Sequence, residues 1–182
     1  MAQKAFAQNV NECTGCRCCQ VACKDKNDLP IGTFFRKVTD HEGGEFPDVW
    51  VGSLSMSCNH CDDPACVAAC PQGALYKESE FGLVIQDVDK CIACQTCVGA
   101  CPYGAPKYIE AEGIVRKCDG CIEWLKNGLQ PACSGACSTR CLQFVDAEEV
   151  AGAEGYVRDI AVLPSSELTG SNFYINPKPQ ML

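Results

Sequence analysis

Sixteen of the chain's eighteen cysteines are gathered into four runs, and each run could hold metal through thiolate sulfur. They read Cys13-x2-Cys16-x2-Cys19-x3-Cys23, Cys58-x2-Cys61-x4-Cys66-x3-Cys70-Pro71, Cys91-x2-Cys94-x2-Cys97-x3-Cys101-Pro102 and Cys118-x2-Cys121-x11-Cys133-x3-Cys137. Thiolates are soft ligands, suited to iron–sulfur clusters or zinc rather than magnesium or calcium. A 4Fe–4S cluster takes four thiolates, so four runs of four supply ligands for four clusters. Two other chemistries compete: tetrahedral zinc on Cys-x2-Cys pairs and a disulfide scaffold. Zinc has no need of a further thiol followed by proline. Disulfides suit an exported chain, yet neither a charged-then-apolar leader nor a twin-arginine pair stands near Met1. The spacing points to iron–sulfur chemistry, and several such centres on one small chain point to electron conduction.

For three sulfurs of a Cys-x2-Cys-x2-Cys stretch to face one centre, the chain must turn tightly with its amides inward. Small residues such as Gly15 and Ala93 allow that close approach. The last thiol of each run lies one helical turn, about 6 Å, beyond the one before it. Short helices are therefore predicted over 19–23, 66–70, 97–101 and 133–137, with Pro71 and Pro102 ending two of them. In two-cluster ferredoxins that last thiol ligates the neighbouring cluster, so one short helix would hold two centres side by side. Alternation over 6–10 and 83–88 predicts strands leading into the loops. Residues 33–39 and 49–56, joined through Gly43-Gly44, read as a hairpin, and 163–182, with Pro164, Pro177 and Pro179, as an extended arm.

The cysteine runs repeat. AQNVNECTGCRCCQVAC at 7–23 aligns with IQDVDKCIACQTCVGAC at 85–101, sharing Gln8/Gln86, Val10/Val88, Ala22/Ala100 and every ligand cysteine. PACVAAC at 64–70 aligns with PACSGAC at 131–137, each preceded by a Cys-x2-Cys. The order along the chain is A, B, A, B, which internal doubling of a two-cluster unit explains.

Composition narrows the role. Apolar residues reach 47% of the 182 only because cysteine is counted, so the conventional core is thin and clusters would act as staples. The formal charge is −8 with no basic stripe, which argues against nucleic acid as a partner. No apolar stretch has the ~20 residues needed to span a bilayer, so no direct membrane span is expected. Neither a serine–histidine–acid set nor a carboxylate pair stands out, and catalysis by this chain alone is not expected.

CTGCRCCQVACKD, SCNHCDDPACVAACPQGAL, DKCIACQTCVGACPYGAPKY and RKCDGC…PACSGAC resemble the four-cluster electron-transfer (beta) subunits of the dimethyl-sulfoxide-reductase superfamily of molybdopterin oxidoreductases, over roughly residues 5–145. The resemblance implies docking on a large catalytic subunit with a molybdenum or tungsten bis-pterin cofactor, and a quinol-linked membrane anchor as a further partner. It also implies crossed ligand sets. Cys13, Cys16, Cys19 and Cys137 would hold the first cluster, and Cys118, Cys121, Cys133 and Cys23 the second. Cys58, Cys61, Cys66 and Cys101 would hold the third, and Cys91, Cys94, Cys97 and Cys70 the fourth. Cys97 stands where relatives often lack cysteine, so a 3Fe–4S centre is not expected; Ser138 replaces the usual proline after the last run.

The fold expected is α+β: two interleaved ferredoxin-like modules, a β-hairpin insertion and an extended C-terminal arm. Residues 1–30 with 106–145 would form one module, 58–105 the other, 31–57 the hairpin and 146–182 an arm contacting a partner. The expected setting is a bacterial or archaeal membrane-associated complex serving anaerobic respiration, on the periplasmic side by co-export with its partner or else cytoplasmic. Rival roles are an electron-transfer subunit of a hydrogenase or formate dehydrogenase, and a zinc-stabilised interaction module.

The remaining residues have plain readings. Cys18 and Cys141, surplus to the runs, read as small buried hydrophobes. His60 reads as a loop-filling histidine, with donation to a cluster as the alternative. Arg116 and Lys117 read as a solvated pair or as a pair that tunes a nearby cluster or meets an acidic partner, Tyr103 and Tyr108 as packing against a cluster, and Trp50 and Trp124 as core or subunit contacts.

Overall fold

The computed structural model describes residues 3–182. Strand β1 (Lys4–Asn9) runs through the centre of a three-stranded sheet. On one side β8 (Leu142–Asp146) pairs with it antiparallel, Phe6 opposite Phe144; on the other β9 (Phe173–Asn176) pairs parallel, Phe6 opposite Phe173. β1 therefore starts earlier than the alternation predicted and gives way to a 3-10 turn at Val10–Glu12, which delivers the chain to Cys13.

The expected hairpin is present as β2 (Lys37–Gly43) and β3 (Trp50–Met56), in register from Lys37 opposite Met56 to Gly43 opposite Trp50. Two small antiparallel pairs flank the third cysteine run. They are β4 (Leu75–Lys77) with β5 (Val84–Gln86), and β6 (Lys107–Ile109) with β7 (Ile114–Arg116). Short helices α1 (Cys18–Lys26), α2 (Ala65–Ala68), α3 (Thr96–Ala100) and α5 (Ala132–Gly135) accompany the four runs. α1 lies against α5 and α2 against α3.

Local chemistry explains where these helices differ from expectation. Pro71 and Pro102 do follow cysteines at which the helix has already ended. No proline follows Cys23, so α1 runs on to Lys26, with Lys24 and Lys26 in its last turn where the helix dipole favours cations. α5 ends at Gly135, so Ser138 in place of proline costs it nothing. Helices α4 (Ile122–Lys126) and α6 (Ala147–Ala151) were not anticipated.

The internal repeat is visible in the backbone. Asn9 and Asp87 each accept a side-chain hydrogen bond from the amide two residues on, at (φ, ψ) of (−89°, 103°) and (−88°, 105°). Gly15 and Ala93 (φ 67° and 57°), and Arg17 and Gln95 (φ 62° and 60°), then turn the chain through the left-handed region at matching places. Left-handed backbone at non-glycine residues is costly and marks a constrained site.

The tail departs most from expectation. It is not simply extended: Phe173 and Ile175 are buried beside β1, and Val157 bridges to Ile175. The apolar run Phe173-Tyr174-Ile175 accounts for this, because it offers the sheet a strand with a face to bury. At the coarse level the fold is the mixed α and β arrangement expected. The core interleaves cysteines with a modest apolar set that includes Phe6, Val10, Leu54, Leu83, Ile109, Ile175 and Met181. Among the described residues no helix is long and apolar enough to cross a membrane.

Candidate metal centres

The first and third loops open toward solvent, with Cys16 and Cys94 exposed at their tips. Cys13, Cys16 and Cys19 line one pocket, and its wall is completed by Cys137 of the fourth run and by Cys141, just before β8. Cys91, Cys94 and Cys97 line another, with Cys70 of the second run opposite. No carboxylate lines either pocket.

The second and fourth loops are interior. Cys58, Cys61, Cys66, Cys118, Cys121 and Cys133 are all buried. Electrostatic coupling shows which thiols are neighbours: Cys66 with Cys58, Cys101 and Cys61, and Cys23 with Cys133 and Cys121. Cys118 couples to Cys23 and also to Cys58, where the two interior groups meet. Each three-cysteine loop thus meets the last cysteine of a different run.

Burial raises thiols in both environments, Cys19 and Cys97 of the outer loops included, but only the outer loops also lower some of theirs. Burial pushes Cys66 and Cys23 up to about 12 and Cys61 up to about 11. Burial also raises Cys118 well above its ordinary value. Thiols so placed keep their protons in neutral solution unless a positively charged metal group displaces them. At the surface, a hydrogen bond from Cys141 brings Cys13 down to about 6, and the Thr96 hydroxyl lowers Cys94. At Cys70 burial raises the thiol, but the amides of Gln72, Ala74 and Leu75 outweigh it.

Hydrogen bonds to sulfur follow a rule set by how each run ends. Where the chain turns away after the last cysteine, a backbone amide points back at it: Ala74 to Cys70 at 3.3 Å, Ala105 to Cys101 at 3.4 Å and Leu142 to Cys137 at 3.5 Å. At Cys23 the helix continues and the Asn27 amide is taken by the Cys23 carbonyl, so the Asn27 side chain serves instead, Nδ2 standing 3.7 Å from the sulfur. Such donors stabilise charged sulfur and tune a cluster's potential.

These features suit a cubane iron–sulfur group: all-thiol donor sets, inward amides and, in the two outer pockets, no competing carboxylate. Gly120 adds a cradle, because a Cβ there would stand 2.7 Å from Leu83 and its φ is +69°. Among the described residues no three histidine, cysteine or acidic side chains converge as one metal ion would require. Tetrahedral zinc needs its sulfurs about 2.3 Å from a common centre. Cys13, Cys16, Cys19 and Cys137 instead line one pocket together, and Cys91, Cys94, Cys97 and Cys70 another.

Several residues have other roles than their sequence readings. Cys18 is exposed rather than buried, since it opens α1 beside Cys16. Cys141 is buried as expected, but its sulfur lies 3.6 Å from that of Cys137, so it is more than filler. Lys117 is buried, not solvated, and its ammonium donates to the carbonyls of Val84 and Cys118. Arg116 pairs with Glu112 at 2.7 Å and donates to the Asn27 carbonyl. Tyr103 reaches the Ser165 carbonyl, Tyr108 and Trp124 are exposed, and Trp50 packs against the core, one of the two roles read for it.

His60 fits the alternative reading. Burial holds it neutral, and Nδ1 accepts the Val84 amide, so Nε2 carries the proton and faces Cys118 Sγ at 3.9 Å. That sulfur belongs to the fourth loop, not to its own. Sequence reasoning missed the tail's contribution. Thr169 Oγ1 donates to Cys61 Sγ at 3.0 Å, and Asn172 Nδ2 caps the His60 carbonyl and Asp62. Only its polar composition could have hinted at this.

Comparison with known proteins gives a consistent picture. The profile of the 4Fe-4S dicluster domain family matches residues 50–147. The probable anaerobic dimethyl sulfoxide reductase chain YnfG of Escherichia coli K12 is 42% identical over 183 residues, covering 96% of this chain and 89% of that one. The B component of the anaerobic dimethyl sulfoxide reductase of the same organism is 41% identical with the same coverage. The B component of the sulfite dehydrogenase of Allochromatium vinosum is 35% identical, covering 82% of this chain and 71% of that protein.

Proposed function

Because this protein belongs to the family of 4Fe–4S iron–sulfur subunits that includes the B component of anaerobic dimethyl sulfoxide reductase, we propose that it relays single electrons through four 4Fe–4S clusters to or from a molybdenum or tungsten bis-pterin catalytic subunit. Each cluster, when bound, supplies one-electron carriage. The single observation that carries the reading is that each three-cysteine loop meets the last cysteine of another run.

On this reading the ligand sets are crossed. Cys13, Cys16, Cys19 and Cys137 hold the first cluster, and Cys118, Cys121, Cys133 and Cys23 the second. Cys58, Cys61, Cys66 and Cys101 hold the third, and Cys91, Cys94, Cys97 and Cys70 the fourth. The Cys19–Cys23 and Cys133–Cys137 pairs tie the first centre to the second, and Cys66–Cys70 and Cys97–Cys101 tie the third to the fourth. Coupling of Cys118 to Cys58 supports placing the second beside the third. The packing of α1 on α5 and of α2 on α3 supports two interleaved modules, residues 1–30 with 106–145 and residues 58–105. The buried loops exclude water from the middle of the path, and exposed Cys16 and Cys94 make the outer centres its two ends. One end meets the catalytic subunit and the other its redox partner, a quinol-linked membrane subunit in the fullest form of the complex. The chain itself has no substrate site.

Anaerobically purified protein should carry about 16 iron atoms and as many acid-labile sulfides, and should co-purify with a large subunit containing molybdenum or tungsten. About 8 iron atoms per chain would reduce the count to two clusters, and stoichiometric zinc in colourless protein would overturn the reading.

A further inference from the structure

Arg36, the residue before β2, is only 1% exposed although it carries a permanent charge. Nη1 donates to the Ser55 carbonyl at 2.8 Å and its hydroxyl at 3.2 Å, and Nη2 to Ser57 Oγ at 2.7 Å. The guanidinium stacks 4.3 Å from the centroid of the Phe6 ring. Its Nε–H has no partner among the described residues, nor does any carboxylate there pair with it. A buried charge without a counter-ion is strongly disfavoured. Burial works against its charge, and the neighbouring sulfurs of Cys133, Cys118, Cys19 and Cys23 act the other way and favour it.

Those four sulfurs belong to two ligand sets, Cys19 to the first and the others to the second. Ser55 forms a bridge to the first: its hydroxyl is 3.2 Å from Arg36 Nη1 and 3.3 Å from Cys19 Sγ. We propose that Arg36 is a tuning residue, an internal counter-ion shared by the first and second clusters that raises the reduction potentials of both. This rests on the crossed ligand sets proposed above. Taking up an electron adds one negative charge to a cluster and its thiolates, and a fixed cation beside it favours that reduced form. Burial keeps water from screening the effect. Arg36 does not line the pocket of the fourth set, where the cation is Lys90, exposed and paired with Asp87 at 2.9 Å. The position therefore lifts one half of the path relative to its far end.

The test is a potentiometric titration of the full holoprotein followed by electron paramagnetic resonance. Arg36→Met should shift the reduced-to-oxidised ratio of the first and second centres at least tenfold toward oxidised, about 59 mV for one electron, and leave the fourth unmoved. Arg36→Lys, which keeps the charge, should retain more than half of the lost potential. Ser55→Ala should lower the first centre and not the second. Unmoved potentials in Arg36→Met with about 16 iron atoms retained would overturn the proposal, as would an equal fall in Arg36→Lys. Should Arg36→Met not accumulate with its iron, Arg36→Lys and Ser55→Ala decide in the same way. Signals are assigned independently with cysteine variants. If Cys23→Ser removes the signal of the first loop, the ligand sets fail, whatever Arg36 does.

Discussion

The outer loops around Cys13–Cys19 and Cys91–Cys97 and the inner loops around Cys58–Cys66 and Cys118–Cys133 use the same ligand atom in opposite surroundings. At the outer pair, thiols reach solvent at Cys16 and Cys94, and hydrogen bonds hold Cys13 and Cys94 below their ordinary range. At the inner pair, burial pushes Cys23 and Cys66 up to about 12, and the tail and His60 close over the sulfurs. Outer loops can present Cys13 and Cys94 before metal arrives, while burial raises Cys19 and Cys97 beside them. Inner loops keep theirs protonated until the metal displaces the proton, so binding and folding are coupled there. On the proposed reading, the ends of the path are built for access and its middle for insulation.

Ligand replacement should strain this contrast most. Cys118→Ala removes a ligand and leaves a gap in the core, so iron should fall below about 12 atoms per chain, together with a loss of soluble protein. Cys94→Ser should cost no more than one centre, leaving about 12 iron atoms. Equal losses would erase the distinction. Chelation or brief air exposure of the holoprotein should next remove outer iron before inner iron, as read from the order in which resonance signals vanish.

Glycines give a smaller effect of opposite sign at the two places. Gly120→Ala forces a side chain at φ +69° against Leu83 and should cost about 1–3 kcal/mol, a fall of about 2–4 °C in melting temperature for each. Gly99→Ala on α3, with nothing within 4 Å of the new Cβ, should stabilise by up to about 1 kcal/mol. Smallest of all, Thr169→Val removes the hydroxyl donating to Cys61 and should lower only the centre of the second loop, by under about 59 mV.

The cysteine loops were legible in the sequence because ligation fixes spacing, and spacing fixes the turn. The repeat was equally plain, down to the Asn9 and Asp87 caps that precede Cys13 and Cys91. Helix ends were less so: α1 passes Cys23 and ends at Lys26, whereas α2, α3 and α5 stop before their last cysteine, with or without a proline after it. The tail was misread because three prolines outweighed Phe173-Tyr174-Ile175, and parallel pairing with a strand so distant in the chain leaves no local signal. Lys117 and Arg36 look like surface charges in a sequence. Neighbouring sulfurs offset the charge of Arg36, and the carbonyls of Val84 and Cys118 accept from Lys117, neither of which the local sequence displays.

The crossed sharing of thiols is tested most directly by the resonance spectrum of the reduced holoprotein carrying Cys70→Ser. Cys70 lies in the second run but faces the pocket of the third. The variant should therefore alter the same outer signal as Cys94→Ser and spare the inner signal that Cys66→Ser removes. Loss of the Cys66→Ser signal instead, with the Cys94→Ser signal intact, would mean that each run holds its own cluster.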